Sequence, residues 1–165
     1  MISTRRVFAL TFLLVAALAA QTASAWWPEG HSLIAEAAVR ALPEDMPNWF
    51  RESGNTLASY SVDADLWKER SVPRLRQQEG PEHYLDLELL KGKPLPPTRK
   101  EFFALCRELE IDPYKVGMLP YTVEEWHDRL VIAFAEHRRW PEDERIRAKI
   151  LVLAGIMSHY TGDAS

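Results

Sequence analysis

The chain has 165 residues, 47% of them hydrophobic and 27% charged, with a formal net charge of −4 and one cysteine, Cys106. That length holds one domain at most, and a single cysteine excludes an intrachain disulfide. The acidic balance repels nucleic acid or an anionic membrane unless bound cations reverse the local field.

In chain order, residues 1–25 read first as a secretory signal peptide. Arg5 and Arg6 form a basic n-region, Val7 to Ala20 is an apolar run too short to span a bilayer comfortably, and Ala23-Ser24-Ala25 is a small-x-small cleavage site. A membrane anchor is the competing reading, and the cleavage site and the short run weigh against it. The stretch Thr4-Arg5-Arg6-Val7-Phe8 also resembles a twin-arginine signal, so both export routes stay open. Cleavage after Ala25 exposes Trp26 and leaves a mature chain, 26–165, with 18 basic and 24 acidic residues, net −6. The expected location is periplasmic or extracellular, with zinc able to act as the staple that cysteine cannot provide. No later stretch reads as a transmembrane span; Ile146 to Met157 is apolar but short.

Helical periods dominate the rest. Gly30 to Leu42 carries Ile34, Ala38 and Leu42 at helical spacing, with Pro43 as a stop. Thr56 to Lys68 reads as a second helix, Ser71 to Gly80 as a polar surface loop, Pro81 to Leu90 as either extended or helical, and Lys91 to Pro97 as a turn. Thr98-x-x-Glu101 reads as a capping box opening a helix to Leu109, and Thr122-x-x-Glu125 as another, opening a helix through Arg138. Pro141 is expected at the start of the last helix, which has Ile146, Ile150, Leu153 and Met157 on one face. No period-2 pattern or repeat intervenes, so the expected class is all-α. The last helix reaches Ser165 without a glycine cap or polar tail, which reads as a truncated chain.

Four short motifs carry candidate chemistry. In Trp26-Trp27-Pro28-Glu29-Gly30-His31, the freed α-amine and its own carbonyl can chelate a metal, and His31 can fold back as a third ligand; an aromatic plug beside a surface histidine is the plainer reading. Asp63 and Asp65 lie beside Leu66 and Trp67, and an acid drawn inward there needs a cation; two solvated acids serve equally as an account. His83, in Glu82-His83-Tyr84-Leu85-Asp86, reads either as a ligand or as a core histidine bonded to backbone. His159 and Asp163 are spaced i,i+4 and share a helix face, a recurring way to hold zinc, or else a simple His–Asp hydrogen bond. Gly155 and Gly162 near that face weaken the helix but admit a close neighbour. His127 and His137, among charged residues, are assigned to a solvated face.

Taken in order, the Trp terminus, the Gly-His pair, Ala64-Asp65, His83-Tyr84-x-Asp86 and His159-Tyr160-x-Gly162-Asp163 resemble the superfamily that joins bacterial zinc-dependent phospholipase C with the fungal-type single-strand-specific zinc nucleases. The resemblance spans most of Trp26 to Ser165. Gly117-Met118-Leu119-Pro120-Tyr121 also looks like a segment of the bacterial members, and one cysteine cannot make the fungal disulfides. The resemblance implies an all-α bundle with a three-zinc cluster. It implies one Zn2+ held by Trp26 and His31, a second by Asp65, His83 and His159, and Asp163 bridging the two. Asp63 is the fallback for Asp65, because the family's ligand follows a small residue. Asp65 and Asp163 take the catalytic positions. The ligands of the third zinc would follow Asp163, beyond Ser165, so the chain is expected to hold the N-terminal portion of the hydrolase and to be inactive or weak alone.

The implied reaction is attack on phosphorus by hydroxide formed between two zincs, on a phospholipid headgroup or single-stranded nucleic acid, with no stable protein partner. The rival is a non-catalytic exported helical binding module.

Overall fold

A computed structural model describes residues 28–165; the export segment and Trp26 lie outside the described residues. The order is α1 (Pro28–Arg40), α2 (Asn48–Arg51), α3 (Gly54–Tyr60), α4 (Asp63–Leu66), α5 (Pro73–Glu79), 3-10 turns at Gly80–His83 and Leu87–Leu90, α6 (Arg99–Glu108), α7 (Pro113–Val116), α8 (Leu119–Arg139) and α9 (Glu144–Asp163). No strand occurs among the described residues, and none of their helices is long and apolar enough to cross a membrane.

The last helix, α9, is the organising element. It packs on α8, α3 and α1, and its buried residues Ile150 and Ala154 join Ala35 and Val39 of α1, Phe50, Leu57, Ala58 and Ala133 in one core cluster. One turn further on, Ile156 and Tyr160 form a second cluster with Ala64 of α4 and Leu119 of α8. Phe102, Cys106, Val116, Met118, Tyr121 and Leu90 make a third cluster under α6. Each fully buried large side chain among these contributes about 1.5–3 kcal/mol. Gly155 lets α3 lie against α9, since a Cβ there would overlap the Tyr60 Cβ.

Local signals set most helix starts. Thr98 caps α6 by accepting from the Glu101 backbone N–H, as the capping-box spacing predicts. Asp112 and Asp143 cap α7 and α9 in the same manner. Elsewhere tertiary demands override the local reading. The stretch expected as one helix from Thr56 to Lys68 breaks at Ser61 and Val62 into α3 and α4, because the buried Ser61 turns its hydroxyl onto the Ala58 carbonyl and its own carbonyl elsewhere. Ser71 to Gly80, expected as a loop, contains α5, which starts at Pro73 and buries none of its residues. The second capping box is not one. Leu119 and Pro120 open α8, and Thr122, inside its first turn, bonds the Glu82 carboxylate instead. Pro141 lies before α9, whose cap is Asp143.

Candidate metal centre

Four separate elements converge at one end of α9. His31 comes from the first turn of α1, Asp65 from α4, His83 from the end of the first 3-10 turn, and His159 and Asp163 from the last two turns of α9. His159 is fully buried, His31 is 1% exposed, and the His83 side chain is 8% exposed. Three imidazoles and two carboxylates do not gather inside a small bundle for packing alone, since each carries a desolvation cost.

The i,i+4 spacing on α9 puts His159 Nε2 3.2 Å from Asp163 Oδ2. His83 Nδ1 reaches the same oxygen at 2.8 Å and His159 Nε2 at 3.0 Å. Asp65 Oδ1 stands 3.8 Å from His159 Nε2, and His31 Nε2 lies 3.5 Å from the other oxygen of Asp163, Oδ1. His31 stacks on His159 with ring centroids 3.8 Å apart. Gly162 makes the room, because a Cβ there would sit 3.0 Å from His31 Nδ1. Two triads, His31–Asp65–His159 and His83–His159–Asp163, share His159.

Proton bookkeeping shows what the cluster lacks. His159 Nδ1 is 2.7 Å from the Ser61 carbonyl and must donate to it, which leaves Nε2 of a neutral ring with a bare lone pair. That lone pair faces Asp163 Oδ2, another acceptor, and the one proton that can serve both is on His83 Nδ1. His31 Nδ1 and His83 Nε2 are buried with no hydrogen-bond partner. Electron pairs therefore outnumber protons at the focus, which is the complement of a cation. Tetrahedral zinc with bonds of about 2.0–2.1 Å spaces its ligand atoms about 3.3 Å apart. The observed separations of 2.8, 3.0, 3.2, 3.5 and 3.8 Å straddle that value, and nitrogen with carboxylate oxygen is a zinc donor set. The residues fit the ion.

The electrostatics agree. Burial disfavours the Asp163 charge, but the imidazoles of His159 and His83 against it hold the carboxyl well below the usual range. Burial, and then the neighbouring His159, push His31 below its ordinary value, favouring the neutral ring that a metal requires. Burial acts the same way on His83, yet its hydrogen bond to Asp163 and the nearby Glu79 carboxylate raise it.

Five of the six metal positions singled out from the sequence thus stand together, and Trp26 lies outside the described residues. Asp65, not Asp63, is in the triads, with Lys68 Nζ on its Oδ1 at 2.5 Å. His137 corrects the sequence reading: it is buried, not on a solvated face, with its ring edge-on to Trp49. Sequence reasoning passed over the Ser61 carbonyl, Lys68, Glu79 and Tyr160. Glu79–His83 at i,i+4 and Asp65–Lys68 at i,i+3 were the available signals. Comparison with family models, curated proteins and solved structures finds no match for this chain.

Proposed function

We propose that this chain belongs to a zinc-dependent hydrolase of phosphate esters or phosphodiesters, exported to the periplasm or beyond, and carries its metal-binding residues. The observation that carries the reading is the meeting of His31, Asp65, His83, His159 and Asp163, from four elements, with donor atoms at zinc-ligand spacing. The order of motifs that resembles phospholipase C and the zinc nucleases supports the choice of reaction.

In this reading His83, His159, Asp65 and Asp163 would hold one zinc, and His31 would hold another with Trp26, as the resemblance implies. Zinc held there supplies Lewis acidity toward a phosphoryl oxygen and acidifies water to a pKa of about 7. The chain's own residues keep the geometry. The Ser61 carbonyl fixes the His159 tautomer, the stack of His31 on His159 prevents rotation of either ring, and Asp163 remains ionised as an acceptor. Lys68 on Asp65 supplies a positive charge beside the cluster for an anionic substrate.

The test is metal analysis of protein whose N-terminus is Trp26, followed by zinc-dependent release assays on phosphatidylcholine and on single-stranded DNA. Two zincs per chain is the expected result, with hydrolysis of either substrate weak and lost on chelation. Absence of bound zinc would leave the rival, a metal-free helical binding module.

A further inference from the structure

The outer edge of His83 carries a second feature. α5 ends at Glu79 and the chain continues as a 3-10 turn through His83, so the two side chains stay on one face at i,i+4. Glu79 Oε1 lies 3.6 Å from His83 Nε2, just beyond hydrogen-bond range, and His83 Nε2 has no other partner although its side chain is only 8% exposed. The Tyr160 hydroxyl, on the buried turn of α9 next to His159, donates to the same Glu79 oxygen. The Tyr160 ring stands 5.2 Å from the His83 ring. Glu79 is thus tethered from α9 and aimed at the imidazole nitrogen that faces away from the cluster.

A neutral imidazole has one N–H. Asp163 claims it at Nδ1, at 2.8 Å, and Glu79 is the carboxylate placed to claim it at Nε2. Only the second outcome leaves Nδ1 bare toward His159 and Asp163. Resting on the metal-centre reading above, we propose that Glu79, held by Tyr160, is a positioning residue that draws the His83 proton to Nε2 and so makes Nδ1 the metal-binding atom. The competition between two carboxylates for one proton then sets the affinity of the site, and outer-shell partners of this kind are worth 10–100-fold in metal affinity.

The experiment titrates Co2+ into mature wild-type, E79A, E79Q and Y160F protein, reading the visible absorption of the bound ion. It also records nitrogen-15 spectra of the histidine rings before and after Zn2+ is added. Wild type is expected to bind Co2+, and its His83 ring to carry the proton on Nδ1 without metal, where Asp163 accepts it, and on Nε2 with Zn2+ bound. E79A is expected to bind about 10–100-fold more weakly, with the His83 proton left on Nδ1 at Zn2+ concentrations that move it in wild type. E79Q, whose amide oxygen still accepts, should recover part of the loss, and Y160F should lose less than E79A. Unchanged circular dichroism in E79Q keeps the comparison independent of folding. If wild type binds no Co2+, the metal-centre reading fails; if it binds and E79A matches it in affinity and tautomer, the positioning role is overturned.

Discussion

Glu82 and His83 are neighbours in sequence, yet each feeds a different polar centre, and the contrast between the two is instructive. Glu82 joins a network whose cation belongs to the chain. Arg99 makes a two-pronged pair with it at 2.9 and 2.9 Å, bonds Glu125 Oε1 through Nε at 2.7 Å, and the Thr122 hydroxyl completes the set. Here every N–H of the fork that faces a carboxylate has an acceptor, and the centre is closed. His83 joins a cluster in which Asp163 and a bare imidazole nitrogen converge with one proton between them, the nearby chain cation, Lys68, being taken by Asp65. The His83 cluster is also the more buried, its imidazoles being nearly sealed from solvent while Arg99 is partly and Glu125 half exposed; the two centres differ further in the sign of the imbalance. A polar centre that holds its own cation is closed, whereas one short of protons offers lone pairs to a cation, which the proposed reading identifies as the metal.

Breaking the open centre should have the largest effect on binding and little on folding. Asp163→Asn keeps the shape but removes the charge shared by both halves of the cluster. Zinc affinity is expected to fall at least about 100-fold, a larger loss than for outer-shell partners, by competition with a chromophoric chelator. Wild-type stability should rise with zinc, by about 2.7 kcal/mol at one hundred times the dissociation constant, and D163N should lose that response. Breaking the closed centre should do the reverse. Arg99→Met leaves Glu82 and Glu125 without their cation and should cost about 2 kcal/mol in urea unfolding, less than a deeply buried pair because Glu125 is half exposed. Zinc affinity in R99M should move by no more than about twofold, a change within the usual additivity limit for separate sites. A large loss of zinc binding in R99M would erase the distinction between the two centres.

A finer probe is Gly162→Ala. In an isolated helix this change gains about 1 kcal/mol. Here the new Cβ meets His31 Nδ1 at 3.0 Å, so the ring must shift, and any shift disturbs its stack on His159. Zinc affinity should therefore drop about tenfold, or ~1.4 kcal/mol, while thermal stability of the metal-free protein stays close to wild type. Equal zinc affinity in the two proteins would mean that the ring stack plays no part in holding the ion.

The sequence made some of this legible and hid the rest for physical reasons. Helical spacing of Ile34 and Ala38 exposed α1, and the i,i+4 pair exposed the shared face of His159 and Asp163, because both are properties of one element. Taken singly, however, His31, Asp65 and His83 each had a plain alternative, since a side chain at one end of a short helix says nothing of what lies across from it. Only the order of the motifs joined them before the structure did. Thr122-x-x-Glu125 misled for a related reason: the residue types that cap a helix also satisfy tertiary partners, and Thr122 and Glu125 serve Glu82 and Arg99 instead. His137 was misread because its charged neighbours mark the exposed faces of α8, while the ring itself turns toward Trp49. α5 was missed because it lacks the apolar stripe from which helices are recognised; its residues from Pro73 to Gln78 are exposed, and only Glu79 turns inward.

The smallest effect should come from the far end of α9, and it separates helix stability from site chemistry. Asp143 accepts from the Arg145 backbone N–H at 2.9 Å and pairs with the Arg145 guanidinium at 2.7 Å. The side-chain bond from Arg145 and then the backbone bond lower the Asp143 carboxyl to about 2. A carboxyl depressed below its unfolded value of about 3.9 adds stability that is complete above that value and fades as pH falls through about 2. Wild type should therefore lose a small part of its stability between about pH 4 and pH 2 that D143N does not lose, because the amide caps the helix but does not titrate over that range. Urea unfolding midpoints of the two proteins, recorded across that interval without metal, measure the difference. At neutral pH both should bind zinc alike, since α9 is held along its length by α8, α3 and α1 and its loosened first turn lies four turns from His159. A zinc affinity that fell with the cap would mean that α9 carries strain from one end to the other, and the centre would then depend on the whole helix and not on its last two turns.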